Sequence, residues 1–504
     1  MKILLFYPNN INVGMPPSNL ALLAAYLKRS GHTVKLFDTT LYKSTEITQD
    51  ELRSKLGHVK KSNINDFIKY KNKDNIKKDF LETVNSYKPD LIGVTLVDAT
   101  IKFSLEFLEL IKDKNIPVVS GGVGTTFLYE RILKTNLVHY ACIGEGEEAF
   151  EELANKLEKG EDTSNIRNIY LLDNNKNVIK NPLRKLIKVD DLLIPDFSIY
   201  DKSRFFRPFM GEVVRMAQID LDRGCPWVCT YCASPSLKNT FNAQRCGPYY
   251  RFKSLDKIFN EISFLIKQYN INFLWLSSET LLALRIEKFR EFAERYKKEI
   301  NLPFWCQTRL DTFSDEKTRL LSEMGCKNIS VGLEHGEEKL RNELLDKRIT
   351  NEQILESAKI IKKYGIYPTL NNMIGLPDET RENIFNSIEL SKQISEILEG
   401  HYNLNVFTFI PFSGTKLRNV CLEKGYFTDD GDIPFSFYTE SVLTMPSLSK
   451  EEIKGLERTM ALYIKLPKSY WPEIEKAEKF NDEGNKIFDK LIEIMKEKNY
   501  ELET

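Results

Sequence analysis

Within the 504 residues, no run approaches the ~20 consecutive apolar residues that a membrane-spanning helix requires. The opening "MKILLFYPNN" is too short an apolar stretch to read as a secretory signal, so a cytoplasmic chain is expected. Charge of one sign is missing too: 72 Lys+Arg balance 72 Asp+Glu, which gives no case for a nucleic-acid or anionic-membrane partner. Histidines number only 5 and tryptophans 4, and neither a fixed-period repeat nor a low-complexity tract is present. Hydrophobic residues at 42% supply enough material for two or three ordinary cores.

Cysteine is sparse and unevenly placed. Five of the 8 are scattered (Cys142, Cys246, Cys306, Cys326, Cys421), and three are packed into "DLDRGCPWVCTYCASP" as Cys225, Cys229 and Cys232. Scattered thiols in a cytosolic chain do not form a disulfide scaffold. A structural zinc wants four ligands, and no nearby histidine completes a zinc pattern, His139 and His335 being remote in sequence. Three thiolates suit an iron–sulfur cubane with one iron left for another ligand. A zinc site completed by Cys246 is the alternative.

Two α/β series flank this motif. Residues 1–160 alternate apolar runs ("KILLFYP", "TVKLFDT", "DLIGVTLV", "PVVSGG", "YACIGEG") with helical stretches such as "NLALLAAYLKRSGH", where Gly31 is placed to cap the helix end. This is a doubly wound, Rossmann-like pattern, and such sheets bind ligands at the carboxyl ends of their strands. Periodicity fades over 161–210, which reads as a linker. Over 211–430 six strand candidates ("VVRMAQIDL", "NFLWLS", "PFWCQT", "NISVGLE", "YPTLNNMI", "NLNVFTFI") alternate with helices near 255–269, 284–298, 315–324, 351–364 and 380–396. Thr350 with Gln353 forms a capping box at one of these starts. The series predicts a partial (β/α)6 barrel with its chemistry at the strands' C-terminal ends. Residues 431–504 read as a C-terminal helical extension that would cap the barrel mouth.

With Tyr231 before its last cysteine, "CPWVCTYC" resembles the CxxxCxxC motif of the radical S-adenosylmethionine superfamily. The resemblance implies a [4Fe–4S] cluster on Cys225, Cys229 and Cys232, and S-adenosylmethionine bound at the open iron. It implies S-adenosylmethionine contacts from Tyr231, from Ser277, Ser278 and Glu279 in "LWLSSETLL" where the family has a Gly-Gly-Glu-like motif, from Glu334 in "SVGLEHG", and from Gly375 in "NMIGLPDET". Arg309 in "CQTRLD" would bind the cofactor carboxylate or hold a structural ion pair. Residues 236–252, "LKNTFNAQRCGPYYRFK", would line a substrate entrance or form an ordinary loop.

Residues 1–160 resemble the cobalamin-binding domain of the cobalamin-dependent class of that superfamily. The glycine-rich strand ends "SGGVGTTF" and "IGEGEEAF" carry the likeness, so Gly121, Gly122, Gly124, Thr125, Gly144 and Gly146, with Thr95 and Asp98, are the candidate cobalamin contacts. The lower-ligand signature Asp-x-His-x-x-Gly is missing, and His32 and His139 do not fit it, which implies cobalamin held without a histidine. The resemblance implies a methyltransferase acting on an unactivated carbon, or on phosphorus, of a small molecule, lipid or natural product, served by an electron donor such as flavodoxin or ferredoxin. Cobalamin-dependent oxidation or cyclisation is the enzyme alternative, and a zinc-stabilised binding module or cobalamin carrier the non-enzyme one.

Overall fold

The computed structural model describes residues 1–9, 14–43, 48–428, 433–434, 436 and 438–497. The first sheet holds strands β1 (Lys2–Tyr7), β2 (Thr33–Asp38), β3 (Leu91–Thr95), β4 (Val118–Gly121), β5 (Tyr140–Cys142), β6 (Ile169–Leu172) and β7 (Val178–Lys180). Its spatial order is β2-β1-β3-β4-β5-β6-β7, with the first five parallel. That 2-1-3-4-5 arrangement is the flavodoxin-like doubly wound order, whose ligand site lies beyond the C-terminal ends of β1 and β3.

Helices on both faces explain the apolar runs. Ile3 and Leu5 of β1 face one core, with Leu20, Ala24 and Phe150 of flanking helices. Leu4 and Phe6 face the other, where Phe6 meets Phe37, Phe80 and Phe107 with ring centroids 5.1–5.9 Å apart. Both faces are covered, so β1 carries no polar alternation. The segment 161–210, read as a linker, holds the hairpin β6–β7 that extends this sheet antiparallel from β5. Strands of four and three residues at a sheet edge are too short for a period-2 pattern to register.

The second sheet starts with an antiparallel pair, β8 (Phe206–Phe209) and β9 (Glu212–Asp220). From β9 it runs in sequence through β10 (Phe273–Ser277), β11 (Phe304–Thr308), β12 (Cys326–Glu334), β13 (Tyr367–Ile374) and β14 (Asn403–Thr408), all parallel. Helices 255–269, 286–299, 315–323, 351–363 and 381–397 cross between them. Their starts are capped locally: Ser254 accepts from Lys257 N, and Thr350 and Gln353 form the expected reciprocal box. This is the α/β partial barrel the sequence predicts.

In the C-terminal extension the helix Lys450–Lys465 packs on β14 and on helix 381–397, is buried almost throughout, and brings Ile453 against Gly375 at the end of β13. An unclosed barrel needs its last strand covered, and this helix covers it.

Candidate active site

The three-cysteine loop follows β9 directly. Next to it Asp222–Arg223 pairs antiparallel with Arg251–Phe252, a short ribbon that holds the loop's root. Its centre is tied across the barrel: Thr230 Oγ1 donates to Leu344 O at 2.6 Å, Leu417 N donates to Thr230 O at 3.0 Å, and the Trp227 indole N–H donates to Thr280 Oγ1 at 3.4 Å. Cys225, Cys229 and Cys232 are partly exposed free thiols.

The thiols form one electrostatic group. Burial lifts Cys225 to about 12 and Cys232 to about 11, and the charges of Glu279 and of the neighbouring thiols add to the rise. Cys225 and Cys232 therefore stay protonated until a cation compensates them. Two donors already point at the sulfurs: Ser234 N to Cys232 Sγ at 3.4 Å and Arg309 Nη1 to Cys229 Sγ at 3.5 Å. Among the described residues no three His, Cys, Asp or Glu are drawn around one point as a single ion needs. Three free thiols on one short loop, with two donors already on their sulfurs, are a donor set of the kind that holds an iron–sulfur cubane.

Several S-adenosylmethionine candidates surround the loop. Tyr231 OH donates to Glu334 Oε1 at 3.0 Å, and Lys347 Nζ reaches the same oxygen at 3.0 Å. Burial raises the Tyr231 phenol far above its ordinary value, and the Glu334 charge adds to this. Ser278 Oγ donates to Asp222, whose carboxyl burial lifts to about 7, against the pull of that hydroxyl and with the Glu279 charge adding. Glu279 is solvent-accessible but closely surrounded, and its carboxyl too is pushed up by burial and by Asp220. Ser277 stays within reach of Gln218 at 3.5 Å.

Arg309 is committed to protein partners. Its guanidinium is bidentate on Asp311 at 3.0 and 3.0 Å, donates to Lys347 O at 2.6 Å and lies 3.9 Å over the Trp227 ring. Gly375 sits at the turn after β13, its N–H on the Glu379 carboxylate, and its missing side chain faces Ile453 at 3.4 Å.

The two sheets present their strand ends to a shared cavity of about 380 Å³. Thr95, Gly121, Gly122, Gly144 and Gly146 line it from the first domain; Asp220, Asp222, Arg223 and Arg251 line it from the second. Gly122 has φ +98°, and a Cβ there would stand 2.6 Å from Leu96 O; Gly144 has φ +75°, and a Cβ there would stand 2.7 Å from Phe241. Side chains at either place would strain the backbone and displace the wall. The remaining candidates point elsewhere. Asp98 accepts from Ser413 N at 2.9 Å, Thr125 donates back to Gly121 O at the end of β4 at 3.0 Å, and Gly124 packs on Val97. His32 bonds Asn155 and His139 bonds Val118 N, each outside the cavity.

Sequence reasoning missed several cavity residues. Ser120 Oγ is fully buried in the lining and has no hydrogen-bond partner, which suits a polar ligand edge. The segment 236–252, for which the sequence predicts a substrate-entrance lining or an ordinary loop, does contribute to this lining: Leu237 and Phe241 from the helix Ser234–Ala243, and Tyr249 beyond it. Cys246 is a buried thiol in that domain's core. Glu145 and Glu147 face Arg223 and Arg251, with Arg223 Nη1 3.2 Å from Glu145. Burial alone would raise Glu145, but the two arginines hold it below its usual value. No spacing rule pairs these residues; only the docking of the two domains does.

A flavodoxin-like domain and a partial barrel, opposed by their strand ends with a three-cysteine loop beside the cavity, define a cobalamin-dependent radical enzyme. Residues 221–391 match the Radical SAM superfamily model, and residues 63–154 match the B12 binding domain model. The chain is a radical S-adenosylmethionine enzyme with a cobalamin-binding domain, and its cofactors are a [4Fe–4S] cluster, S-adenosylmethionine and cobalamin. It is similar to an uncharacterised methyltransferase of Pyrococcus horikoshii, 26% identical over 67% of this chain and 71% of that protein. It is also similar to the anaerobic magnesium-protoporphyrin IX monomethyl ester cyclase of Rubrivivax gelatinosus, 25% identical over 82% and 69%. In fold it resembles the radical S-adenosylmethionine methyltransferase TsrM of Kitasatospora setae (with cobalamin and [4Fe-4S] cluster bound), TM-score 0.62, 17% identical, covering 99% of each chain. Among the described residues no helix is long and apolar enough to cross a membrane.

Proposed function

We propose that the protein transfers a methyl group to an unactivated carbon of a small organic substrate. When bound, the cluster with S-adenosylmethionine supplies a hydrogen-abstracting 5′-deoxyadenosyl radical, and cobalamin supplies the methyl group. The observation that carries the reading is the shared cavity: one wall is the glycine-rich end of the first sheet, the other the root of the cysteine loop.

The chain's own residues would then do three things. Cys225, Cys229 and Cys232 hold the cluster, with Ser234 N and Arg309 stabilising the sulfur charge. Glu334, oriented by Tyr231 and Lys347, offers a carboxylate to the hydroxyls of S-adenosylmethionine, and Glu279 offers one to its ammonium. The Glu145–Arg251 and Glu147–Arg223 pairs clamp the domains and keep water from the gap. We place the enzyme in the cytoplasm, reduced by a flavodoxin- or ferredoxin-type donor.

A second reading, oxidation or cyclisation without methyl transfer, is favoured by the likeness to a cyclase. Anaerobic turnover with a reductant distinguishes them. Methyl transfer yields S-adenosylhomocysteine together with 5′-deoxyadenosine, whereas 5′-deoxyadenosine alone overturns it.

A further inference from the structure

We propose that the lower half of the barrel is a substrate chamber for a flat heteroaromatic small molecule bearing hydrogen-bond acceptors. The inference rests on the radical-enzyme reading above, which puts the reacting atoms at the upper end of the same barrel.

A second cavity, of about 610 Å³, lies among the N-terminal halves of the barrel strands, bounded on its outer side by residues within 48–66 and 207–211. Its size is that of a small-molecule site. β12 itself joins the two ends of the barrel: it passes from Asn328 and Ser330 at this cavity to Glu334 beside the cysteine loop, four steps and about 13 Å beyond Ser330. A molecule seated at Ser330 could therefore extend one end toward the S-adenosylmethionine candidates.

The walls are of two kinds. On one side Trp275 and Trp305, neighbours across β10 and β11, stack with centroids 4.6 Å apart and planes 13° from parallel. Trp305 Nε1 donates to Met216 Sδ at 3.2 Å, but Trp275 Nε1 is buried without a partner. On the other side run two ladders of amides and hydroxyls. Asn403 Nδ2 donates to Thr369 Oγ1 at 3.4 Å, which donates to Asn328 Oδ1 at 3.1 Å. Asn405 Nδ2 donates to Asn371 Oδ1 at 2.7 Å, and Asn371 Nδ2 to Ser330 Oγ at 2.9 Å. Asn328 Nδ2 is left over, buried and unpartnered.

These features select a chemistry. Both orphans are donors whose lost hydration nothing in the protein replaces, so the ligand that suits them brings acceptors such as a carbonyl or ring nitrogen. An indole pair rewards a flat π face. The amide ladders penalise a hydrocarbon chain laid against them. Charged side chains, Arg53, Lys60 and Arg207 against Asp50, Glu51 and Asp66 among them, line the cavity from its outer wall, while β9 to β14 present only neutral groups, so the flat body of the ligand belongs against the strands.

Binding can be tested without turnover. The reconstituted, oxygen-free holoprotein is screened by ligand-observed NMR against rigid heteroaromatic amides and pyrimidinones, their saturated analogues, and medium-chain alcohols. The variants Trp275→Phe, Asn328→Ala and Ser330→Trp are screened in parallel, with iron and cobalamin content confirming that each is folded. We expect the heteroaromatic set to give binders whose affinity falls at least tenfold in Asn328→Ala and Ser330→Trp and several-fold in Trp275→Phe. The proposal is overturned if the variant-sensitive binders are the saturated or alkyl compounds, or if no compound is variant-sensitive. Failure of methyl transfer itself would show instead as missing S-adenosylhomocysteine and leave this binding pattern intact.

Discussion

Tyr231 and Glu334, which lie 103 positions apart in the chain, are joined by a 3.0 Å hydrogen bond from the phenol to the carboxylate. The bond connects the cysteine loop to the end of the fourth parallel barrel strand. Glu334 adopts φ +63° there, just past a register shift in the β12–β13 pairing. A non-glycine residue held in that region marks a position whose side-chain direction matters more than its backbone comfort. Lys347 braces the same oxygen, so the carboxylate is aimed before any ligand arrives.

Glu334→Gln keeps the shape and removes the charge. A hydrogen bond to a charged group contributes about 1.5–3 kcal/mol, so S-adenosylmethionine binding should weaken about 10- to 100-fold while iron content is kept. Equilibrium dialysis of the reconstituted protein measures it. Unchanged affinity would leave Glu334 as only a tether for Tyr231 and Lys347.

Replacing Cys225, Cys229 or Cys232 by Ala, one at a time, should abolish the charge-transfer absorbance of the cluster and most of the bound iron and sulfide. Cobalamin content should stay near that of the parent, because the first domain has its own sheet and cores. Cys246→Ala, which alters a buried thiol of the first domain's core, should keep its iron. Iron retained in any loop variant would count against the three-thiol site.

Much of this was legible in the chain before any fold was known. The barrel strands are long, apolar and regularly spaced, so β9 to β14 and the helices between them follow from periodicity alone. The cysteine loop follows from spacing because its three thiols are local in the chain. Two kinds of feature were not legible. The hairpin β6–β7 is too short to carry a pattern, and Ser120, Phe241 and the Glu145–Arg251 pair acquire their roles only when the domains dock. The sequence leaves Arg309 open to a cofactor carboxylate or a structural ion pair; in the fold Asp311, two residues away, holds its guanidinium.

The glycines at the cavity give a steric prediction. Gly144→Val would place a branched side chain at φ +75° against Phe241, and Gly122→Ala would drive a methyl into Leu96 O. Each should cost about 1–3 kcal/mol and lower the thermal midpoint. Cobalamin retained through gel filtration should drop with it. Gly160→Ala, also at positive φ but with open space around its Cβ position, is the control: it should lower stability without lowering the cobalamin retained by the folded fraction.

His58 sets an acid limit. It is fully buried, neither ring nitrogen has a hydrogen-bond partner, and Arg53 and Lys465 stand near it. Burial first, and then those two cations, hold its pKa down at about 3. In the unfolded chain the imidazole takes a proton near pH 6.5, which the folded chain refuses, so the unfolded state binds more protons below that pH. The stability this group contributes is therefore complete above about pH 6.5 and is lost as pH falls toward 3. His58→Phe fills similar space with no titratable group. Measured by urea midpoints at pH 7 and pH 4.5, the variant should gain on the parent by on the order of 2 kcal/mol as pH drops. Parallel pH profiles for the two proteins would mean that His58 is hydrated in solution and carries none of the acid sensitivity.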